Sequence, residues 1–181
     1  QMLHHLKQEG VVFLPGKEIT GIHDHGHTGA EVSTADGDIL RARHIVVAAG
    51  SWSGKLLKKR GYRLPMQDGK GYSMTLERPS LKPSIPSILH EARVAITPMG
   101  DDLRISGTLE ISGMDDQINP HKVNSILKAV PEYYPGMKIR DAGAVWFGYR
   151  PCTPDGMPYI GPLQSGSAVI MATGHAMMGL S

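Results

Sequence analysis

The stretch that decides the fold runs from His44 to Gly54 and reads HIVVAAGSWSG. Its first half is a continuous run of apolar, mostly β-branched residues, which predicts a strand buried on both faces. Gly50 ends that run, and Ser51 or Ser53 is placed to cap a short helix with basic residues near its carboxyl end. The sequence therefore predicts a buried strand that turns tightly into a helix.

On the amino-terminal side, the last turns of an amphipathic helix end at Gly10. Short apolar runs separated by Gly-rich or Asp-Gly turns then predict an antiparallel meander. These runs are Val11–Leu14, Glu18–Ile22, Glu31–Thr34 and Asp38–Arg41. Since the chain begins with Gln1 in the middle of a helical pattern, we expect it to have been processed or excised from something longer.

On the carboxyl-terminal side, alternating patterns predict a second antiparallel sheet with strands at 72–76, 88–90, 94–98 and 103–107. Asn119 is an N-cap followed by Pro120, and the apolar stripe after it predicts a helix that ends at Pro131. Further strands are predicted at 142–149, 158–160 and 168–173.

Composition excludes several classes of protein. The 19 basic and 17 acidic residues are spread along 181 positions, so the chain lacks the basic stripe that nucleic acid binding needs. No apolar run approaches the roughly 20 residues that span a bilayer. Cys152 is the one cysteine, which rules out an internal disulfide and fits a reducing compartment.

Arg150 stands in the stretch GYRPCTPDGMPYIG, residues 148–161. An arginine held between aromatic residues and prolines can bind a carboxylate through two parallel hydrogen bonds; the alternative is a structural ion pair with Asp155. The Gly50 turn can approach a phosphate or ribose closely, or it is an ordinary strand-to-helix turn. Likewise, Gly174-His175 either starts a helix whose amides stabilise negative charge or places a simple helix cap.

Three further features have a functional and a structural interpretation. His23, His25 and His27 alternate, which suits a metal site, but their place among Asp and Gly favours a solvated hairpin tip, and we assign no metal. Cys152 has no His or acidic partner nearby in sequence, which favours a packing role over a nucleophile. Met177 and Met178 suit a core or a pocket wall.

Taken together, residues 45–53, 69–73, 148–161 and 172–175 resemble the D-amino acid oxidase superfamily of FAD-dependent enzymes. Within it, the chain is most similar to the small subunit of bacterial D-amino acid dehydrogenases. The resemblance implies a mixed α/β fold, in which the C-terminal part of a Rossmann-type FAD-binding domain is interleaved with an antiparallel-sheet substrate domain. The implied division assigns residues 1–66 and 144–181 to the FAD-binding domain and 67–143 to the substrate domain.

The resemblance also implies roles for individual residues. Arg150 would bind the substrate carboxylate, and Tyr72, Tyr149 and His90 are weaker candidates for the pocket wall or for polar contacts; Arg150, Tyr72 and Tyr149 are the candidate catalytic residues. The implied FAD contacts are Ala49, Gly50, Trp52, Gly174, His175, Met178 and Gly179. The family's Gly-x-Gly-x-x-Gly loop does not occur in these 181 residues, and Met177 stands where glycine oxidases carry a second arginine. We therefore expect the isolated chain to bind flavin poorly.

The implied activity is oxidation of a D-amino acid, or of a cyclic secondary amino acid, to the imino acid by hydride transfer to FAD. One alternative is an oxidase of the glycine or sarcosine type that uses O₂, and another is a non-catalytic domain. Dehydrogenases of this type also pass electrons to the respiratory chain, which implies a cytoplasmic protein or one held peripherally at the inner membrane.

Overall fold

The computed structural model describes residues 1–139 and 142–179. Their contacts divide the chain into two units. Unit 1 comprises Gln1–Leu64 and Tyr159–Thr173, and unit 2 comprises Pro65–Pro158 together with Gly174 and the described residues after it. Each unit has its own buried apolar cluster.

Unit 1 begins with a short helix and the predicted meander. Helix α1 is followed by three antiparallel strands in the order β1-β2-β3. Their bounds are α1 Met2–Gln8, β1 Ile19–Asp24, β2 Ala30–Thr34 and β3 Ile39–Ala42. The meander is thus confirmed, but the strand predicted at 11–14 is wrong: these four residues are exposed and form no strand.

The second sheet of unit 1 contains the strand of the deciding stretch. Strand β4, Ile45–Val47, pairs in parallel with β11, Val169–Thr173, which also pairs antiparallel with β10, Tyr159–Pro162. Strand β4 is an edge strand, and Val46 is 59% exposed, so the prediction of burial on both faces is wrong.

The turn after β4 is shorter and less regular than predicted. A single 3-10 turn over Gly50–Trp52 leads into helix α2, Ser53–Lys58. Neither Ser51 nor Ser53 makes the predicted capping hydrogen bond. The order of strand, tight turn and helix is nevertheless as the sequence predicts.

Unit 2 is built on a five-stranded antiparallel sheet in the order β6-β7-β8-β5-β9. The strands are β5 Gln67–Leu76, β6 Ser87–Leu89, β7 Val94–Met99, β8 Asp102–Glu110 and β9 Trp146–Cys152. Residues 144–158 thus group with the middle of the chain, because β9 pairs along β5. The strand predicted at 142–149 begins later and continues through Arg150.

One helix covers a face of this sheet. Helix α3, Pro120–Tyr133, starts as predicted, with the Asn119 side chain accepting a hydrogen bond from the His121 amide. It passes through Pro131, where the sequence predicts its end, because a proline near the last turn removes only one helical hydrogen bond. The apolar stripe Val123, Ile126 and Val130 is buried against the sheet. The described residues contain no helix long and apolar enough to cross a membrane.

Candidate functional site

The two faces of the unit 2 sheet differ in character. Cross-strand partners share a face, so the buried Tyr72 and its half-buried partner Phe147 mark the face that packs on α3. Gly71 and Gly148 are also directly opposite each other and belong to the other face. The described residues of this second face do not belong to the buried cluster that contains α3. We call this second face the open face.

Arg150 lies on the open face. It is paired with Gly69, and its guanidinium reaches along the strand to lie over Gly71. A methyl group on Gly71 would stand 2.0 Å from Arg150 Nη1 and 2.7 Å from Cζ, so only glycine admits this conformation.

Among the described residues, the Arg150 guanidinium has no counter-ion. Within the described part of the chain it forms no ion pair, and its solvent-shielded Nη1 has no hydrogen-bond partner. The alternative pairing with Asp155 does not form, because the Asp155 carboxylate accepts a hydrogen bond from the Met157 amide instead. A shielded cationic donor without an acceptor is costly unless a ligand supplies one.

Tyr72 and Tyr149 lie on the α3 face, opposite Arg150. The buried Tyr72 hydroxyl donates to Glu110 Oε2 at 2.6 Å and accepts from the Asn119 amide at 3.2 Å. Burial and the hydrogen bond to Glu110 raise the pKa of Tyr72, and the same bond lowers the pKa of the Glu110 carboxyl.

The Tyr149 hydroxyl donates to Asp116 Oδ1 at 2.9 Å. Desolvation, together with this hydrogen bond, raises the pKa of Tyr149 to about 12. Of Arg150, Tyr72 and Tyr149, only Arg150 therefore faces the open side of the sheet.

Lys70 is a buried residue for which the sequence analysis proposes no role. It is only 1% exposed, and its Nζ donates to the backbone carbonyls of Asp115 and Gln117, each at 2.7 Å. The ammonium also lies 5.8 Å and 5.7 Å from the ring centres of Tyr72 and Phe147. Lys70 therefore fastens the 115–117 loop to β5 on the α3 face.

The segment that starts at Gly174 meets the end of β9. His175 forms an isolated antiparallel bridge with Cys152, and the Ala176 amide donates to the Pro151 carbonyl at 3.0 Å. The Met178 amide donates to the His175 carbonyl, so residues 174–179 form turns and not the predicted start of a helix. Gly174 is buried, His175 is half-buried, and Met178 and Gly179 are exposed.

In unit 1, the residues predicted to contact the cofactor cluster at the carboxyl end of β4. Gly50 has φ +53°, and its carbonyl accepts a hydrogen bond from the Thr173 hydroxyl at 3.1 Å. Ser53 donates to the same Thr173 oxygen at 3.3 Å, which ties the turn to the end of β11. Carboxyl ends of neighbouring parallel strands are the usual place for a dinucleotide.

The surface of this turn is open to a ligand. Ala49 and Trp52 are exposed, and a side chain built on Gly50 meets nothing within 4 Å. The Ser51 hydroxyl is buried and has no partner among the described residues. Ala49 and Trp52 also line a largely apolar cleft of about 560 Å³, with Lys55 and Lys59 among its other residues.

The remaining candidates lie apart from these two groups. His27 is in the 3-10 turn Gly26–Thr28 of the β1-β2 hairpin, and the rings of His23 and His25 stack 6.5 Å apart. His90 is exposed in the turn before β7. Cys152 is half-buried, with its Sγ 3.4 Å from the Arg150 carbonyl oxygen.

Sequence analysis missed three residues beside Arg150: Gly71, Gly148 and Trp146. The signal was the two-residue spacing of Gly69 and Gly71 and of Trp146, Gly148 and Arg150, which places each set on one face of a strand. Only the register between β5 and β9 brings these sets together.

Comparison with known proteins extends these observations. A family model described as DAO, FAD dependent oxidoreductase, matches residues 1–181. Two similar proteins are named D-amino acid dehydrogenase. The one from Methylobacterium radiotolerans is 35% identical over 172 residues, covering 94% of this chain and 41% of that protein. The one from Rhizorhabdus wittichii is 37% identical over 177 residues, covering 96% and 42%. The chain thus spans less than half the length of these relatives.

Two solved structures share the fold. The L-alpha-glycerophosphate oxidase of Mycoplasma pneumoniae with FAD bound has a TM-score of 0.80 at 18% identity, covering 96% of this chain and 49% of that one. The glycine oxidase of Geobacillus kaustophilus has a TM-score of 0.71 at 24% identity, covering 90% and 44%.

Proposed function

Because the chain belongs to the DAO family of FAD-dependent oxidoreductases, we propose that the protein containing it oxidises the amine of an amino acid to the imine. The substrate is a D-amino acid or a cyclic secondary amino acid. The observation that carries this proposal is Arg150, whose guanidinium lies over Gly71 on the open face and has no acidic partner among residues 1–139 and 142–179.

Arg150 binds the substrate through its carboxylate. The planar guanidinium offers parallel N–H donors that match the two carboxylate oxygens, and the ligand supplies the acceptor that the described residues do not. Fixing the carboxylate also fixes the α-carbon and its hydrogen, and positioning of this kind lowers a reaction barrier by several kcal/mol.

The overall reaction removes two electrons and two protons from the CH–NH unit and leaves a C=N bond. Water then hydrolyses the imine to the keto acid and ammonia, or to the ring-opened amine for a cyclic substrate. FAD, when bound, supplies the acceptor for the two electrons.

The described residues fit such a cofactor. In unit 1, the Gly50 turn offers an exposed backbone at the end of β4 and the unpartnered Ser51 hydroxyl, and Ala49, Gly50 and Trp52 would hold part of the cofactor. The turns of unit 2 would contribute Gly174, His175, Met178 and Gly179. We retain the proposed division into an FAD-binding domain, residues 1–66 and 144–181, and a substrate-binding domain, residues 67–143, with Arg150 reaching the substrate from the segment after residue 143. On the α3 face, the Tyr72 hydroxyl donates a hydrogen bond to Glu110 and the Tyr149 hydroxyl donates one to Asp116, and these bonds stabilise the sheet.

The test uses the full-length protein with D-alanine or D-proline and a redox dye as electron acceptor. We expect Arg150→Met to raise KM by about 100-fold or more, since hydrogen bonds to a charged group are worth about 1.5–3 kcal/mol each, and Arg150→Lys to recover part of that loss. Arg63→Met, which removes an exposed arginine of unit 1, is the control. Unchanged kinetics in Arg150→Met would refute the role of Arg150, and absence of turnover in the wild type would refute the proposed activity.

The electron acceptor separates this proposal from the oxidase alternative. We propose that the protein is a dehydrogenase, because the similar proteins that align with nearly the whole chain are named D-amino acid dehydrogenase. The full-length protein is therefore expected to reduce a quinone or dye rapidly while forming little hydrogen peroxide in air. Peroxide formed in equal amount to the imine would instead assign an oxidase.

A further inference from the structure

Trp146 is an exposed large apolar side chain of the open face, on the same strand as Arg150. It is 68% exposed and begins β9, which is an edge strand of the unit 2 sheet. Tryptophan has both a large apolar area and a preferred ring-stacking geometry, so an uncovered indole beside a binding group is suited to contact a ligand.

The glycine pair brings the indole and the guanidinium toward each other. The far edge of the Trp146 ring lies over Gly148, where a built methyl group would stand 2.7 Å from Cη2. The Arg150 guanidinium lies over Gly71, the residue directly opposite Gly148. Side-chain positions of directly opposite residues are about 4.5–5.5 Å apart, so the two groups lean over neighbouring positions.

Beside the indole, the next side chains across the open face are small. One row across the sheet runs from Trp146 to its partner Ser73, then to Ser106 and Ala95 on the next two strands. None of these three residues is large enough to cover a ring. These small side chains leave a shallow trough between the indole and Ile88, which ends the row on β6 and is 78% exposed.

We propose that Trp146 is a specificity-determining residue, and that the substrate is an α-amino acid with a bulky apolar side chain that packs on the indole and in this trough. This inference rests on the proposed function, because it requires the carboxylate to be held by Arg150. With the carboxylate there, the α-carbon lies above the Gly71 and Gly148 pair, and a side chain of several carbons extends over the ring.

The test compares substrates within each variant of the full-length protein, so that the result does not depend on the fraction of active enzyme. The kcat/KM values of D-phenylalanine, D-methionine and D-alanine are measured with a redox dye for the wild type, Trp146→Ala and Trp146→Phe. We expect Trp146→Ala to lose about 10- to 100-fold with D-phenylalanine and D-methionine but less than about 3-fold with D-alanine. Trp146→Phe, which keeps an aromatic face, is expected to recover most of the loss.

Each other outcome rejects a defined part of the proposal. If Trp146→Ala lowers kcat/KM equally for all three substrates, or for none, Trp146 does not select the side chain, while the role of Arg150 stands. If the wild type prefers D-alanine over both larger substrates, the proposed substrate class is wrong. If it oxidises no amino acid, the proposed function fails first and this inference fails with it.

Discussion

Replacing Gly71 by alanine tests the geometry of the open face directly. The added methyl group would lie 2.0 Å from Arg150 Nη1 and 2.7 Å from both Cζ and Nη2. Carbon and nitrogen atoms in contact stand about 3.5 Å apart, so the guanidinium has to move by about 1–1.5 Å. A displacement of about 1 Å at a positioning group costs on the order of 100-fold in rate, equal to about 2.7 kcal/mol.

We therefore expect Gly71→Ala to lower kcat/KM for an amino acid substrate by about 100-fold in the full-length protein, chiefly through KM. The measurement is steady-state kinetics, together with the dissociation constant of a simple carboxylate such as acetate. Gly21→Ala is the matched control, since a methyl group there stays 3.6 Å from its nearest neighbour. In an Arg150→Met background, Gly71→Ala should cause no further loss. Wild-type kinetics in Gly71→Ala, or full additivity in the double variant, would refute the assigned contact.

Three further predictions concern the framework. Asp24→Asn should destabilise unit 1 by about 1–3 kcal/mol at pH 7. Although burial opposes it, hydrogen bonds from the Ser167 hydroxyl and two backbone amides hold the pKa of Asp24 below its ordinary value. The difference in Tm between wild type and variant should therefore be full above about pH 5 and shrink as the pH falls through the lowered pKa; a difference that grows in acid would contradict this. Gly50→Ala should cost about 1–2 kcal/mol in urea unfolding, because the strain comes from φ +53° alone. Tyr72→Phe should lower hydrogen-exchange protection in β5 by about 1–2 kcal/mol, since Glu110 loses its buried donor, and unchanged protection would exclude that role.

Much of the fold follows from local patterns. The meander of β1 to β3, the antiparallel strands β7 and β8, and the start of α3 at Asn119 are confirmed, because each depends on alternation, turn residues or a cap within a few positions. The predicted family and its cofactor are also confirmed by a family model that matches residues 1–181. Motif order along the chain carries this information, which needs no knowledge of tertiary contacts.

Where the prediction was wrong, residues nearby in sequence did not determine the burial or the strand pairing. The run at residues 44–50 has the composition of a strand buried on both faces, yet the burial of Val46 depends on what packs on its face of the sheet, and Val46 is 59% exposed. Residues 11–14 are as apolar as a strand but have no pairing partner, so they form none. Burial and pairing are properties of distant segments.

By itself, the sequence determined the family, the FAD dependence and Arg150 as the candidate carboxylate ligand. Only the tertiary structure decided what surrounds that arginine. Tyr149 and Arg150 are adjacent, but successive side chains of a strand point to opposite faces, and the register with β5 turns Tyr149 toward α3 and Arg150 toward the open face. The same register sets Gly71 opposite Gly148 and so places the guanidinium beside the Trp146 indole, because cross-strand distance and not sequence distance determines which side chains meet.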